Sequence, residues 1–129
     1  MKPELSSLLV AEEELASEQI AETLQGIVQI GKASGNPIPT GDFETLDRTT
    51  KMLAYLLALR AANILGVSDR TALSAEELAG VIGWDTKSVR EYASRMKRRF
   101  LSRGADGYEV PIAKIQATCA EIKLRRTKK

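Results

Sequence analysis

The sequence predicts a mainly α-helical protein with one short β-hairpin, and three observations carry that reading. Apolar residues recur at helical spacing over residues 4–30, 43–65, 74–100 and 112–126. The centre of the second stretch, Met52 to Leu59 (MLAYLLAL), is apolar on nearly all sides, which marks a helix buried among several neighbours. Residues 101–110, LSRGADGYEV, contain Asp106-Gly107, a strong hairpin turn signal. A chain of 129 residues is one domain by default, and an apolar fraction of 43% suffices for one core.

The first stretch, residues 4–30, reads as an amphipathic helix. Leu5, Leu8, Leu9, Leu15, Ala16, Ile20, Leu24 and Ile27 form its apolar stripe, and Glu14, Glu18, Glu22, Gln25 and Gln29 line the other side. Glu12 interrupts the stripe, and Gly31 is the expected stop. At its end, Gly26 to Ala33 has the spacing of a phosphate-binding loop up to the last position. Ala33 stands where a hydroxyl would hold magnesium, and the stretch closes a helical pattern instead of opening one, so nucleotide binding is not expected. Residues 33–42, ASGNPIPTGD, carry two prolines and two glycines and read as an irregular linker. The chain thus divides into an N-terminal helical part (1–35), a linker (36–45) and a main domain with a basic tail (46–129). Thr40 or Asp42 can cap the central helix over 43–65, which Gly66 ends. Thr71 to Leu73 is expected to join the hairpin as a short third strand.

Residues 74–100, SAEELAGVIGWDTKSVREYASRMKRRF, read as two helices joined by a tight turn. Ser74 and Glu77 make a capping box, Leu78, Ala79 and Ile82 form the buried side of the first helix, and Gly83 suits its end. Asp85 or Thr86 caps the second helix. Val89, Tyr92, Ala93, Met96 and Phe100 define its apolar face, opposite Lys87, Arg90, Glu91, Ser94, Arg95, Lys97 and Arg98. Pro111 suits the first turn of a last helix with Ile112, Ile115, Cys119 and Ile122 as its stripe. Cys119 is therefore expected to be a buried small hydrophobe. The tail KLRRTKK reads as a solvated end or a non-specific phosphate contact.

The ordered set over 74–110 resembles a winged helix-turn-helix of the DNA-binding superfamily. Leu78 and Ile82 are apolar, Ala79 is small where two helices touch, Gly83 lies in the turn and Trp84 is the apolar residue just after it. Val89 and Tyr92 are apolar in the second helix, and residues 101–110 stand in place of the wing. The resemblance covers residues 46–126. It implies a mainly α winged helix-turn-helix with a small β-hairpin wing, preceded by an N-terminal helical extension and closed by a C-terminal helix. It also implies a docking mode, with the second helix (about 86–99) as the recognition helix in a major groove of double-stranded DNA. It implies no target sequence.

Charge is lopsided. Residues 1–50 hold three basic against nine acidic residues, a net −6, and residues 51–129 hold sixteen against eight, a net +8. A polyanionic partner is expected to face the back half. One cysteine excludes an intrachain disulfide and a cysteine-rich zinc site, and the absence of histidine excludes Ser-His-Asp and Cys-His mechanisms. No apolar run reaches the ~18–20 residues that span a bilayer, and the acidic N-terminus is unlike a signal peptide. A cytoplasmic, non-enzymatic protein without cofactor or metal is expected.

Base edges in a major groove present a readable donor and acceptor pattern. Thr86, Lys87, Ser88, Arg90, Glu91 and Ser94 are the candidate readers, with Arg90 suited to guanine and Glu91 to cytosine. Arg95, Lys97, Arg98 and Arg99 are placed to hold phosphates, and Arg103 in the hairpin to touch backbone or minor groove. The expected function is binding of double-stranded DNA as a transcription regulator. A protein-interaction module without nucleic-acid binding is the alternative, favoured by the acidic N-terminal helix and the apolar central helix. RNA binding lacks a visible aromatic platform. The two terminal amphipathic helices, 4–30 and 112–126, further predict a homodimer that buries their stripes.

Overall fold

A computed structural model of the protein describes residues 12–127. Its elements are α1 (Glu12–Leu24), β1 (Val28–Ile30), β2 (Pro37–Pro39), a 3-10 turn (Gly41–Thr45), α2 (Arg48–Ile64), α3 (Ala75–Ile82), α4 (Thr86–Met96), β3 (Ser102–Gly104), β4 (Gly107–Glu109), a second 3-10 turn (Ile112–Lys114) and α5 (Ile115–Thr127). The fold is mainly helical, with two separate antiparallel two-stranded hairpins, β1–β2 and β3–β4.

The central helix forms where its apolar run predicts, but it begins at Arg48 and not at residue 43, because residues 41–45 make a 3-10 turn and Asp47, not Thr40 or Asp42, supplies the cap. Asp47 accepts a hydrogen bond from the Thr50 amide at 2.7 Å and caps α2. Met52, Leu53, Ala54, Leu56, Leu57 and Ala58 are all fully buried, so α2 is enclosed by α1, α5, α3 and both hairpins. Arg60 is the charged side chain buried among them. Its Nε donates to the Val110 carbonyl at 2.8 Å, and its guanidinium reaches Asn63 at 3.3 Å and Glu109 at 3.4 Å. Glu109 also accepts from the Thr71 hydroxyl at 2.6 Å. The buried guanidinium is thereby satisfied, as burial of a charge requires, and it ties α2 to the β3–β4 hairpin.

The N-terminal region departs from the expected single helix over 4–30. Within the described residues α1 ends at Leu24, because Gly26 adopts φ +85° and the following Ile27, Val28 and Ile30 favour an extended backbone. Val28 to Ile30 pairs with Pro37 to Pro39 as a hairpin, so the stretch read as an irregular linker contains β2. A two-stranded sheet is all edge, where proline is tolerated. The glycine-spaced stretch is β1 with a glycine on either side, and no helix follows it. Phe43, on the first 3-10 turn, is 1% exposed and joins the core.

Within the described residues, the two stripes from which dimerisation was expected pack largely inside the chain. Ala16, Ile20, Leu24 and Ile27 are buried against α2 and α5, and Leu5, Leu8 and Leu9 lie outside the described residues. Ile115, Cys119 and Ile122 of α5 are buried in the same core. Ile112 is not on that stripe: it sits on the 3-10 turn and is 44% exposed. Arg126 donates to the Thr23 carbonyl at 2.9 Å and Arg125 to Glu121 at 2.6 Å, so two arginines of the basic tail hold the fold. Burial pushes the Cys119 thiol above its ordinary pKa, with smaller opposing contributions from Thr23 and Lys123.

Thr71 to Leu73 contributes one bridge, not a strand. The Leu73 and Tyr108 amides and carbonyls exchange hydrogen bonds at 3.0 and 2.8 Å. The hairpin turn is Ala105-Asp106, one residue earlier than expected, with Gly104 and Gly107 paired across it. Gly107 has φ +123°, and a Cβ there would lie 2.1 Å from the Leu73 carbonyl oxygen. We predict that Gly107→Ala detaches the hairpin from Leu73 and lowers stability by at least the ~1–3 kcal/mol of a strained φ. Urea unfolding should show a lower midpoint, and an unchanged midpoint would contradict the close approach.

Candidate nucleic-acid interface

The α3–turn–α4 pair follows from its caps. The Ser74 hydroxyl accepts from the Glu77 amide at 3.2 Å, and the Glu77 carboxylate accepts from the Ser74 amide at 3.1 Å. Gly83 closes α3 in the left-handed region at φ +71°, and its amide and that of Trp84 both donate to the Ala79 carbonyl. Asp85 starts α4, accepting from the Ser88 amide at 2.9 Å and the Ser88 hydroxyl at 2.8 Å. Leu78, Ala79 and Ile82 of α3 and Val89, Ala93 and Met96 of α4 are buried. Trp84 and Tyr92 are half-buried with ring centroids 4.9 Å apart.

Burying Val89, Ala93 and Met96 turns the opposite face of α4 outward. At about 100° per residue, Lys87, Glu91 and Ser94 lie at the centre of that face, and all three are exposed. Thr86 and Ser88 are half-buried at its start, and Ser88 is committed to the cap. Arg90 lies on the flank toward α3, where it pairs with Glu76 at 2.5 Å. Arg95 lies on the other flank, 4.8 Å over the Tyr92 ring and 3.4 Å from Glu91. These pairs are exposed, so each contributes under ~1 kcal/mol and yields readily to a competing anion.

The helix is shorter than the expected 86–99. α4 ends at Met96, and Lys97, Arg98, Arg99 and Phe100 form the turn that follows. Lys114 fixes that end by donating to the carbonyls of Lys97 at 2.8 Å and Leu101 at 3.1 Å, a cation at a helix C-terminus. Phe100 and Leu101 are buried beneath the turn, and Lys97, Arg98 and Arg99 project from it, Arg99 lying 4.9 Å over the Phe100 ring. Arg103 is exposed on β3, 5.7 Å over the Tyr108 ring. The structure therefore places the phosphate candidates on the last turn of α4 (Arg95), the turn after it (Lys97, Arg98, Arg99) and the hairpin (Arg103), and the reading candidates onto α4. Lys87, Lys97 and Arg98 enter no side-chain ion pair among the described residues.

Two nearby residues were not singled out from the sequence. Glu76 neutralises Arg90 from α3, although it lies outside the basic window of α4. Arg48, at the start of α2, stands 5.5 Å over the Trp84 ring. Neither proximity has a local signal, because both depend on how α2 and α3 pack beside α4. Among the described residues no group of three His, Cys, Asp or Glu side chains could hold a metal ion, and no helix is long and apolar enough to cross a membrane.

No protein-family model, curated protein or solved structure matches the chain.

The caps make this region sensitive to acid. Hydrogen bonding to Arg70, then to Ser74, holds the Glu77 carboxyl below its ordinary pKa, and the Ser88 amide and hydroxyl do the same for Asp85. A depressed folded-state pKa contributes stability that is present above the unfolded pKa and lost as pH falls through the folded one. The expected loss therefore begins near pH ~4, the ordinary carboxylate range. Asparagine caps as well as aspartate but does not titrate. Asp85→Asn should thus show a shallower fall of the urea midpoint between about pH 5 and pH 2 than the parent. Equal slopes would mean that the Asp85 cap contributes no acid dependence.

Proposed function

We propose that the chain binds double-stranded DNA, with α3, α4 and the β3–β4 hairpin acting as a winged helix-turn-helix: α4 is the recognition helix and β3–β4 the wing. The observation that carries this is the exposed face of α4 and its following turn. There Lys87, Arg98 and Lys97 project without carboxylate partners among the described residues, beside Arg90, Arg95, Arg99 and Arg103. The net +8 of residues 51–129 agrees with a polyanionic partner. On this reading Lys87, Glu91, Ser94 and Arg90 reach base edges, and Thr86 and Ser88 support the helix start. Arg95, Lys97, Arg98 and Arg99 hold phosphates. Arg90 contacts a base only on leaving Glu76. The role is that of a cytoplasmic transcription regulator. A homodimer on a two-fold site is compatible with the reading.

A protein-interaction module is the second reading, favoured by one observation. A cavity of about 720 Å³ between α1, β1 and the end of α2 is lined by Ile20, Leu24, Val28, Ile30, Ala61 and Leu65, and Leu65 is 63% exposed. An apolar groove of this kind suits a partner's apolar side chains.

Salt dependence separates the two. Four to six phosphate contacts give a slope of log K against log salt of roughly −4 to −5, at ~0.9 per contact. Lys87→Ala and Arg98→Ala should weaken the protein in accord with their roles: Arg98→Ala on all duplexes alike, Lys87→Ala most on a preferred site. Arg90→Ala should cost about 1–3 kcal/mol on that site and relax preference at one base position. Affinity independent of salt, or no duplex binding at low salt, would overturn the DNA reading.

A further inference from the structure

We propose that Arg48, the first residue of α2, is an additional phosphate contact beside the start of α4, presented there by Trp84. This inference rests on the DNA reading above and adds a third element, α2, to the interface. Arg48, Trp84, Tyr92 and Arg95 form a continuous ladder along one flank of α4. The Arg48 guanidinium stands 5.5 Å over Trp84, Trp84 is 4.9 Å from Tyr92, and the Arg95 guanidinium stands 4.8 Å over Tyr92. Residues from two distant parts of the sequence thus present two guanidinium groups on the two ends of one aromatic pair.

Arg48 is exposed, and its guanidinium enters no ion pair or hydrogen bond among the described residues. A guanidinium held over an indole ring, with no hydrogen bond of its own, can grip a phosphate with two hydrogen bonds. Its position is also telling electrostatically. A cation at the start of a helix faces the positive end of the dipole of α4, an unfavourable placement on its own. Asp85 offsets this: its carboxyl is held below the ordinary range chiefly by Ser88, with a smaller contribution from Arg48. A phosphate seated by Arg48 would neutralise that cation beside the start of α4, and Lys87 keeps its place at the base edges. The exposed half of the Trp84–Tyr92 pair then packs against the sugar-phosphate wall, and Arg95 continues the row.

The test uses the full chain and a mixed-sequence duplex. Arg48→Gln should weaken every duplex alike, by up to about tenfold near 0.1 M salt, and reduce the salt slope by ~0.9, the share of one phosphate contact. Arg48→Lys keeps the charge and should retain most of the slope. Lys123→Gln, which removes an equal charge beside Glu22 on the far α1–α5 side, should leave the slope unchanged. Trp84 is the single tryptophan, so its fluorescence should respond to duplex in the parent and respond less in Arg48→Gln. If Arg48→Gln binds a duplex with the parent's affinity and slope, or loses no more than Lys123→Gln, Arg48 is not a contact and the DNA reading stands without it. If the parent itself binds no duplex at low salt, the DNA reading fails and this inference fails with it.

Discussion

The enclosure of α2 is the constraint on which the rest of the structure depends. A helix apolar on all sides cannot stand at a surface, so α1, α5, α3 and the hairpins must all lie against it. Burying one large aliphatic side chain contributes about 1.5–3 kcal/mol, and α2 buries Met52, Leu53, Leu56 and Leu57 completely. Arg60 adds direction to this otherwise non-directional burial. Its hydrogen bond to the Val110 carbonyl and its contact with Glu109 fix where the β3–β4 hairpin meets the helix. Through Glu109, Thr71 and the Leu73–Tyr108 bridge, the same contact fixes the segment that leads into α3.

The exposed face of α4 is a consequence of that arrangement. α3 and α4 are short helices, too short to be stable alone. Their caps and the buried faces they offer to the core hold them, which leaves the charged side of α4 nothing to do inside the molecule. Lys114, reaching back from the turn before α5 to the carbonyls of Lys97 and Leu101, locks the end of α4 and aims the basic turn outward. Glu76 and Glu91 temper the charge without cancelling it. The face is therefore rigid, basic and weakly committed, the properties a polyanion-binding surface needs.

Where local signals and tertiary packing agree, the fold was legible in the sequence. The Ser74–Glu77 capping box, Gly83 in the left-handed region, the Asp85 cap, the buried central helix and buried Cys119 all follow from residues within a few positions of one another. The failures share a cause. Ile27, Val28 and Ile30 extend the helical stripe of α1, yet their pairing with residues 37–39 across the turn makes them a strand, and nothing within the stripe announces that partner. Pro37 and Pro39 argue against a strand in any sheet but one made only of edges. The basic run Lys97 to Arg99 continues the helical pattern, but Lys114 closes the helix at Met96 from another element. At the candidate site, the outward residues of α4 were legible from periodicity alone. The Glu76–Arg90 pair and the Arg48–Trp84 contact were not, because both are made between elements.

The most direct test of the account is a map of backbone amide shifts by nuclear magnetic resonance as a short duplex is added. The perturbed amides should cluster on α4, the turn Lys97 to Phe100, the β3–β4 hairpin and the start of α2 near Arg48, with α1, β1 and β2 unmoved. Perturbation centred on the groove between α1 and β1, or no perturbation at low salt, would contradict it.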